Sequence, residues 1–106
     1  MADWVPIIGY RDFYDVPHLF AARLGERLLL FESRLDESLD DYTTDFSVYE
    51  LPEGTELLED GSWDRLSDGL TRIAAVLLRD VEFGHDGEGR YAFKSDAAAS
   101  LGRPPV

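Results

Sequence analysis

The most regular hydropathy pattern in this chain spans His18 to Ser33, where two mainly apolar runs, Leu19 to Leu24 and Leu28 to Phe31, are joined through Gly25-Glu26. Glycine stands where a two-residue hairpin turn needs positive φ, so the pattern predicts an antiparallel β-hairpin. Ahead of it, Val5-Pro6-Ile7-Ile8-Gly9-Tyr10 is a short β-prone run. Asp12 to Pro17 then mixes acids and aromatics before a proline that disfavours helix at Val16, which predicts an irregular link. From Asp45 to Leu51 the residues alternate, with Phe46 and Val48 on one face and Tyr49 and Leu51 on the other. Pro52-Glu53-Gly54 closes this third strand.

Other stretches carry other periods. Arg34 to Thr44 has Leu35 and Leu39 four apart among acids, enough for one helical turn but no long period, and is expected to be a surface loop. Thr55 to Glu59 fits the end of a strand and the start of a turn equally well. Next, Trp63, Leu66, Leu70, Ile73, Ala74 and Leu77 recur at spacings of three and four behind a Ser62 N-cap, with Asp64 in the first turn. This spacing predicts the main helix over about 62–78, with Gly69 inside it at a cost of about 1 kcal/mol relative to alanine. Val81-Glu82-Phe83 and Arg90 to Lys94 alternate around the turn-rich Gly84 to Gly89 and predict a second hairpin. Residues 97–106 show neither pattern and finish in Pro104-Pro105-Val106, so a mobile tail is expected after a single domain of residues 1–96.

The order of elements gives an α+β class: an antiparallel, curled β-sheet of about five to six strands with one main helix covering a face. A sheet of this size can also roll into a small, partly open barrel, which leaves fewer exposed edges.

With 106 residues, 44% of them apolar, the chain has material for one real core. It contains no cysteine, which excludes disulfides and thiolate metal sites and suits a reducing compartment. Met1-Ala2-Asp3-Trp4 carries neither the basic stretch nor the apolar run of a signal peptide, and no apolar run approaches the about 18 residues of a membrane span, so a cytoplasmic location is the expectation.

Charge changes the picture most. The net charge is −12, and between Glu32 and Asp60 eleven acids face the single base Arg34, while the rest of the chain is close to balance. Charge so confined is a local feature, able to attract a cation or a basic surface. It also argues against partners rich in phosphate, so neither nucleic acid nor membrane is expected as a partner.

Candidate chemistry narrows to that sector. Carboxylates interleaved with aromatics at Asp36, Glu37, Asp40, Asp41, Tyr42, Asp45 and Tyr49 suit a protein interface, the charge speeding encounter with a basic protein surface and the aromatics supplying buried area. Calcium is the alternative occupant of Asp36, Glu37, Asp40, Asp41 and Asp45, but the acids do not alternate as an EF-hand loop requires and no glycine follows before Gly54. A sector that only solvates the fold is the third possibility. His18 and His85 are too few and too distant to build a zinc site. No Gly-x-Ser-x-Gly occurs, and the glycines of Gly84 to Gly89 open no helix and neighbour no lysine, as a phosphate-cradling loop would require. The expected function is therefore non-enzymatic and free of cofactors: a small acidic protein-binding module, of adaptor or immunity/inhibitor type, with an exposed edge strand as a possible route to a homodimer.

Overall fold

The computed structural model describes residues 3–14, 16–36, 38, 41–57, 63 and 65–102. The chain forms β1 (Val5–Tyr14), β2 (Val16–Leu24), β3 (Arg27–Glu32), β4 (Leu35–Asp36), β5 (Asp41–Tyr42), β6 (Asp45–Glu50), β7 (Arg72–Leu77), β8 (Glu82–His85) and β9 (Tyr91–Lys94), followed by the one-turn helix α1 (Asp96–Ala99). Seven strands make one sheet in the order β7-β6-β3-β2-β1-β9-β8, and β4 with β5 makes a separate two-stranded ribbon. All strand pairings among the described residues are antiparallel. The class expected from sequence, a curled antiparallel sheet with helix, is present, with seven strands in place of five or six.

The curl is severe. The β6 and β8 strands stand five places apart in the sheet, roughly 24 Å on a flat sheet at about 4.8 Å per strand. Yet the Phe46 and Phe83 rings, one from each, lie 6.4 Å apart. Phe20 on β2 sits at the centre of the concave face, with ring centroids 4.7 Å from Phe31, 5.3 Å from Phe46, 5.5 Å from Phe83 and 5.1 Å from Phe93. The sheet stays open between β7 and β8, its two edges, although these are consecutive in the chain and joined by a helical turn at Leu78–Asp80.

The hairpin of β2 and β3 is buried on both faces, which explains its unbroken apolar run. Leu29 and Phe31 face the concave core, whereas Leu28 and Leu30 join Leu19, Ala21, Leu51 and Trp63 on the convex side. Leu57, Leu66 and Leu70 pack against that second cluster, so described residues between β6 and β7 cover the convex face. Gly25 takes φ 62° in the tight turn, as expected. Each tryptophan lies against a strand glycine: a Cβ on Gly9 would stand 2.8 Å from the Trp63 ring and one on Gly84 2.9 Å from Trp4. Arg11 sits 4.5 Å from the centroid of Trp63, and Lys94 4.6 Å from that of Trp4.

Several sequence expectations are corrected. The main helix over about 62–78 does not form: residues 65–69 are turns, Gly69 adopts φ 78°, and Arg72–Leu77 is strand β7. Leu66 and Leu70 pack as that helix face required, but Ile73 and Leu77 are exposed while Ala74 and Val76 turn into the core. Pairing with β6 satisfies one edge of that strand, and a glycine in the left-handed region stops a helix from propagating through it. The supposed irregular link is largely strand, since β1 runs to Tyr14 and β2 starts at Val16. The supposed surface loop holds the β4–β5 ribbon, with Leu35 opposite Tyr42 and Asp36 opposite Asp41. The Thr55–Glu59 stretch lies in no strand through Leu57, beyond which residues 58–62 are outside the described part.

At the C-terminal end, α1 is capped by the Ser95 hydroxyl, which accepts from the Ala98 N–H at 3.2 Å, and Ala98 is fully buried. Arg27 donates to the Leu101 carbonyl at 2.8 Å. Residues 97–102, expected within a tail, thus form packed helical turns, and 103–106 lie outside the described residues. No described helix is long and apolar enough to cross a membrane.

In the β8–β9 turn, the Asp86 carboxylate accepts from the backbone N–H groups of Glu88 and Arg90, both at 2.9 Å, and pairs with the Arg90 guanidinium at 2.8 Å. Enclosure works to raise the pKa of this carboxyl, but the two N–H groups and Arg90 outweigh it and hold it below the ordinary aspartate value. A depressed folded value means that the stabilisation is complete above the unfolded pKa of about 3.9 and is lost as pH falls through the folded one. An Asp86→Asn variant is therefore expected to be less stable than wild type near neutrality, the gap between their thermal midpoints closing in acid. In the core, Phe20→Ala is expected to cost about 3–5 kcal/mol in urea titrations, the largest effect of any single truncation in the sheet.

Candidate functional site

Elementary packing builds the acidic site from its base. The Ser33 N–H donates to the His18 carbonyl at 2.7 Å and the Thr43 N–H to the Arg34 carbonyl at 2.8 Å, tying the ribbon to the end of the hairpin. The Ser33 hydroxyl donates to the Thr43 carbonyl at 3.0 Å, and the Thr43 hydroxyl to the Asp45 carbonyl at 3.0 Å. These short polar side chains fix where β5 hands over to β6. On this base Tyr42 lies flat on buried His18, with centroids 3.6 Å apart and planes at 11°. The pair forms one wall of a cavity of about 630 Å³, shared with Asp41, Thr43, Thr44, Leu77, Leu78 and Arg79.

Asp41 is exposed and Asp45 half-buried. The Asp41 carboxylate accepts from the Tyr42 N–H at 2.7 Å, and among the described residues neither Asp41 nor Asp45 forms an ion pair. The ribbon register sets Asp36 directly opposite Asp41. Like charges in that relation destabilise a strand pair unless a counter-charge arrives.

The single base of the sector is committed elsewhere. Arg34 donates to the buried Glu32 carboxylate at 2.8 Å and to the Ser67 hydroxyl at 3.2 Å, and Ser67 in turn reaches Glu32 at 3.3 Å. The hydrogen bond to Glu32, and then its negative charge, raise the pKa of Arg34. Glu32 is thus neutralised internally and takes no part in an external surface.

The acids read as one sector are split by β6. Asp45 opens this strand and Glu50 closes it, roughly 17 Å away at about 3.4 Å per residue. Glu50 pairs with Arg27 at 3.2 Å and, with Glu53, borders a separate cavity of about 770 Å³ beside Arg23 and Glu26. Of the residues proposed from sequence, the fold brings together Asp36, Asp41, Tyr42 and Asp45. Tyr49 stands apart, packed on the convex cluster opposite Leu30. Glu37 and Asp40 lie outside the described residues.

Sequence reasoning missed His18, Leu77, Leu78 and Arg79. His18 enters the sequence reading only as one of two histidines too few for a zinc site, yet it is 4% exposed and carries the Tyr42 stack. The other three sat in or beside the expected helix, and alternation of Ala74 and Val76 against Ile73, Ala75 and Leu77 was the available signal for a strand. Among the described residues no three carboxylate, histidine or cysteine groups converge as a metal would require.

No family model, no curated protein and no solved structure matches this chain. Function is therefore argued from its own residues.

Because Tyr42 stacks on a buried ring while Asp41 is exposed and bonded only to a neighbouring N–H, the two residues differ in stability terms. Tyr42→Ala is expected to cost about 1 kcal/mol or more in chemical denaturation, and Asp41→Ala less than about 0.5 kcal/mol.

Proposed function

We propose that this protein is a non-enzymatic binding module, of adaptor or immunity/inhibitor type, that engages a basic protein surface through the acids of the segment 36–45, Asp36, Glu37, Asp40, Asp41 and Asp45, with Tyr42 as the aromatic contact. The observation that carries this reading is the register of the ribbon. It sets Asp36 opposite Asp41 with Asp45 at the start of the next strand, while the described basic residues are engaged elsewhere or leave Asp41 and Asp45 without an ion pair. A fold that keeps like charges together accepts a cost that a cationic partner would offset. Tyr42 is held half-buried by its stack on His18, so it can offer ring surface at little further loss of side-chain freedom. Tyr49, on the convex face, is not part of this surface.

The test is affinity capture from the native lysate at low and then moderate salt, comparing wild type with Asp41→Lys/Asp45→Lys. The expected outcome is a basic protein retained by the wild type, released by salt and not retained by the reversed variant, whose thermal midpoint stays close to wild type. Retention that survives both salt and reversal would place the interface elsewhere.

A further inference from the structure

The β7 strand is an edge of the main sheet, and the ladder stops there among the described residues. Its exposed residues are unusual for such an edge. Ile73 is 40% exposed and Leu77 39%, Ala75 between them is also exposed, and the strand itself contains neither lysine nor proline to discourage pairing. The backbone orientation follows from one bond. Leu78 donates its N–H to the Thr44 carbonyl at 2.9 Å, and the register pairs Phe46 with Val76 and Val48 with Ala74. By the alternation of an antiparallel ladder, Val76 and Ala74 direct their backbone groups to β6, while Leu77 and Ala75 direct theirs to the open side; a register shift interrupts the alternation at Ile73, since Val48 pairs with Ala74 and Tyr49 with Arg72.

The acids lie at one end of this edge. Asp45 is the register partner of Leu77, and the cavity that Leu77 and Leu78 line also holds Asp41, Tyr42 and His18. Its apolar walls suit the stem of a long basic side chain, its stacked rings suit a guanidinium plane, and Asp41 and Asp45 supply the counter-charge. Arg79 in the same cavity and Arg72 at the far end of the strand oppose a cation, and Asp80 follows directly. A second copy of this chain is the less favoured occupant, since each copy brings a net charge of −12.

We propose, resting on the reading of the acidic end as a surface for basic partners, that the partner binds as an extended segment added to β7. Its backbone pairs with Ala75 and Leu77, its apolar side chains alternate against the exposed face of the strand, and an arginine or lysine enters the Tyr42–Asp41 cavity.

The probe is a short capped synthetic peptide alternating arginine or lysine with valine, added at low salt to the full chain and followed by amide NMR. The expected result is saturable shifts and slowed exchange at Ala75 and Leu77. Ala75→Pro, which removes an outward N–H without touching the β6 ladder, abolishes these changes, and Asp41→Lys/Asp45→Lys weakens binding by roughly tenfold or more. Should the proline variant not fold, Ala75→Lys serves in its place. Binding that is weakened by the reversal but unaffected by Ala75→Pro overturns strand addition and leaves the acidic-surface reading standing. Binding lost with Ala75→Pro but indifferent to the reversal overturns that reading and the basic partner with it. No shift at millimolar peptide, or a free protein that sediments as a dimer with its β7 amides already protected, overturns the proposal.

Discussion

The closest contact on which the fold depends is that between Phe20 and its ring neighbours from four strands. Phe31, Phe46, Phe83 and Phe93 reach it from β3, β6, β8 and β9, and they can do so only if the sheet bends until strands near opposite edges meet. A 106-residue chain without cysteine has no covalent staple to impose that shape, so apolar burial at one point must set the curvature. The order of strands follows from it. Consecutive strands pair side by side, the last hairpin returns to β1, and the single remaining gap falls between β7 and β8.

Curvature also divides the work of the two faces. The concave side is filled by side chains from the strands themselves, while the convex side of β2 and β3 needs a cover from elsewhere. That cover is anchored by Trp63, Leu66 and Leu70, and the network of buried Glu32 and Ser67 with exposed Arg34 ties it to the end of β3. Among the described residues of the acidic sector, the acids that neither the core nor this network uses stand at the ribbon and at and beyond the far end of β6. A feature that is contiguous in sequence is therefore two separate surfaces in space.

How much of this was legible depended on how local the cause was. The first hairpin could be recognised because Gly25 and the flanking apolar runs specify it within sixteen residues, and the β8–β9 hairpin because Asp86 and its glycines specify a turn. The Arg72–Leu77 strand was not legible, since Leu66, Leu70, Ile73 and Leu77 fit a helical period equally well and the deciding partner, β6, lies more than twenty residues upstream. Asp36, Asp41, Tyr42 and Asp45 were identified by residue type, but what places them together, Ser33 and Thr43 hydroxyls and a Tyr42 stack on His18, leaves no periodic trace. Tyr49 stands apart from these four for the same reason: strand alternation gives its face, not the cover that packs on that face.

The two tryptophans, each seated on a strand glycine with a cation close to its ring, stand in structurally independent places. Trp63 belongs to the cover of the convex face and Trp4 to the junction with the last hairpin. With only two indoles in the chain, intrinsic emission divides into two local signals. Replacing either indole leaves an optical reporter of the other region, so loosening of the cover and detachment of the terminal hairpin can be followed as separate spectroscopic events without any attached dye.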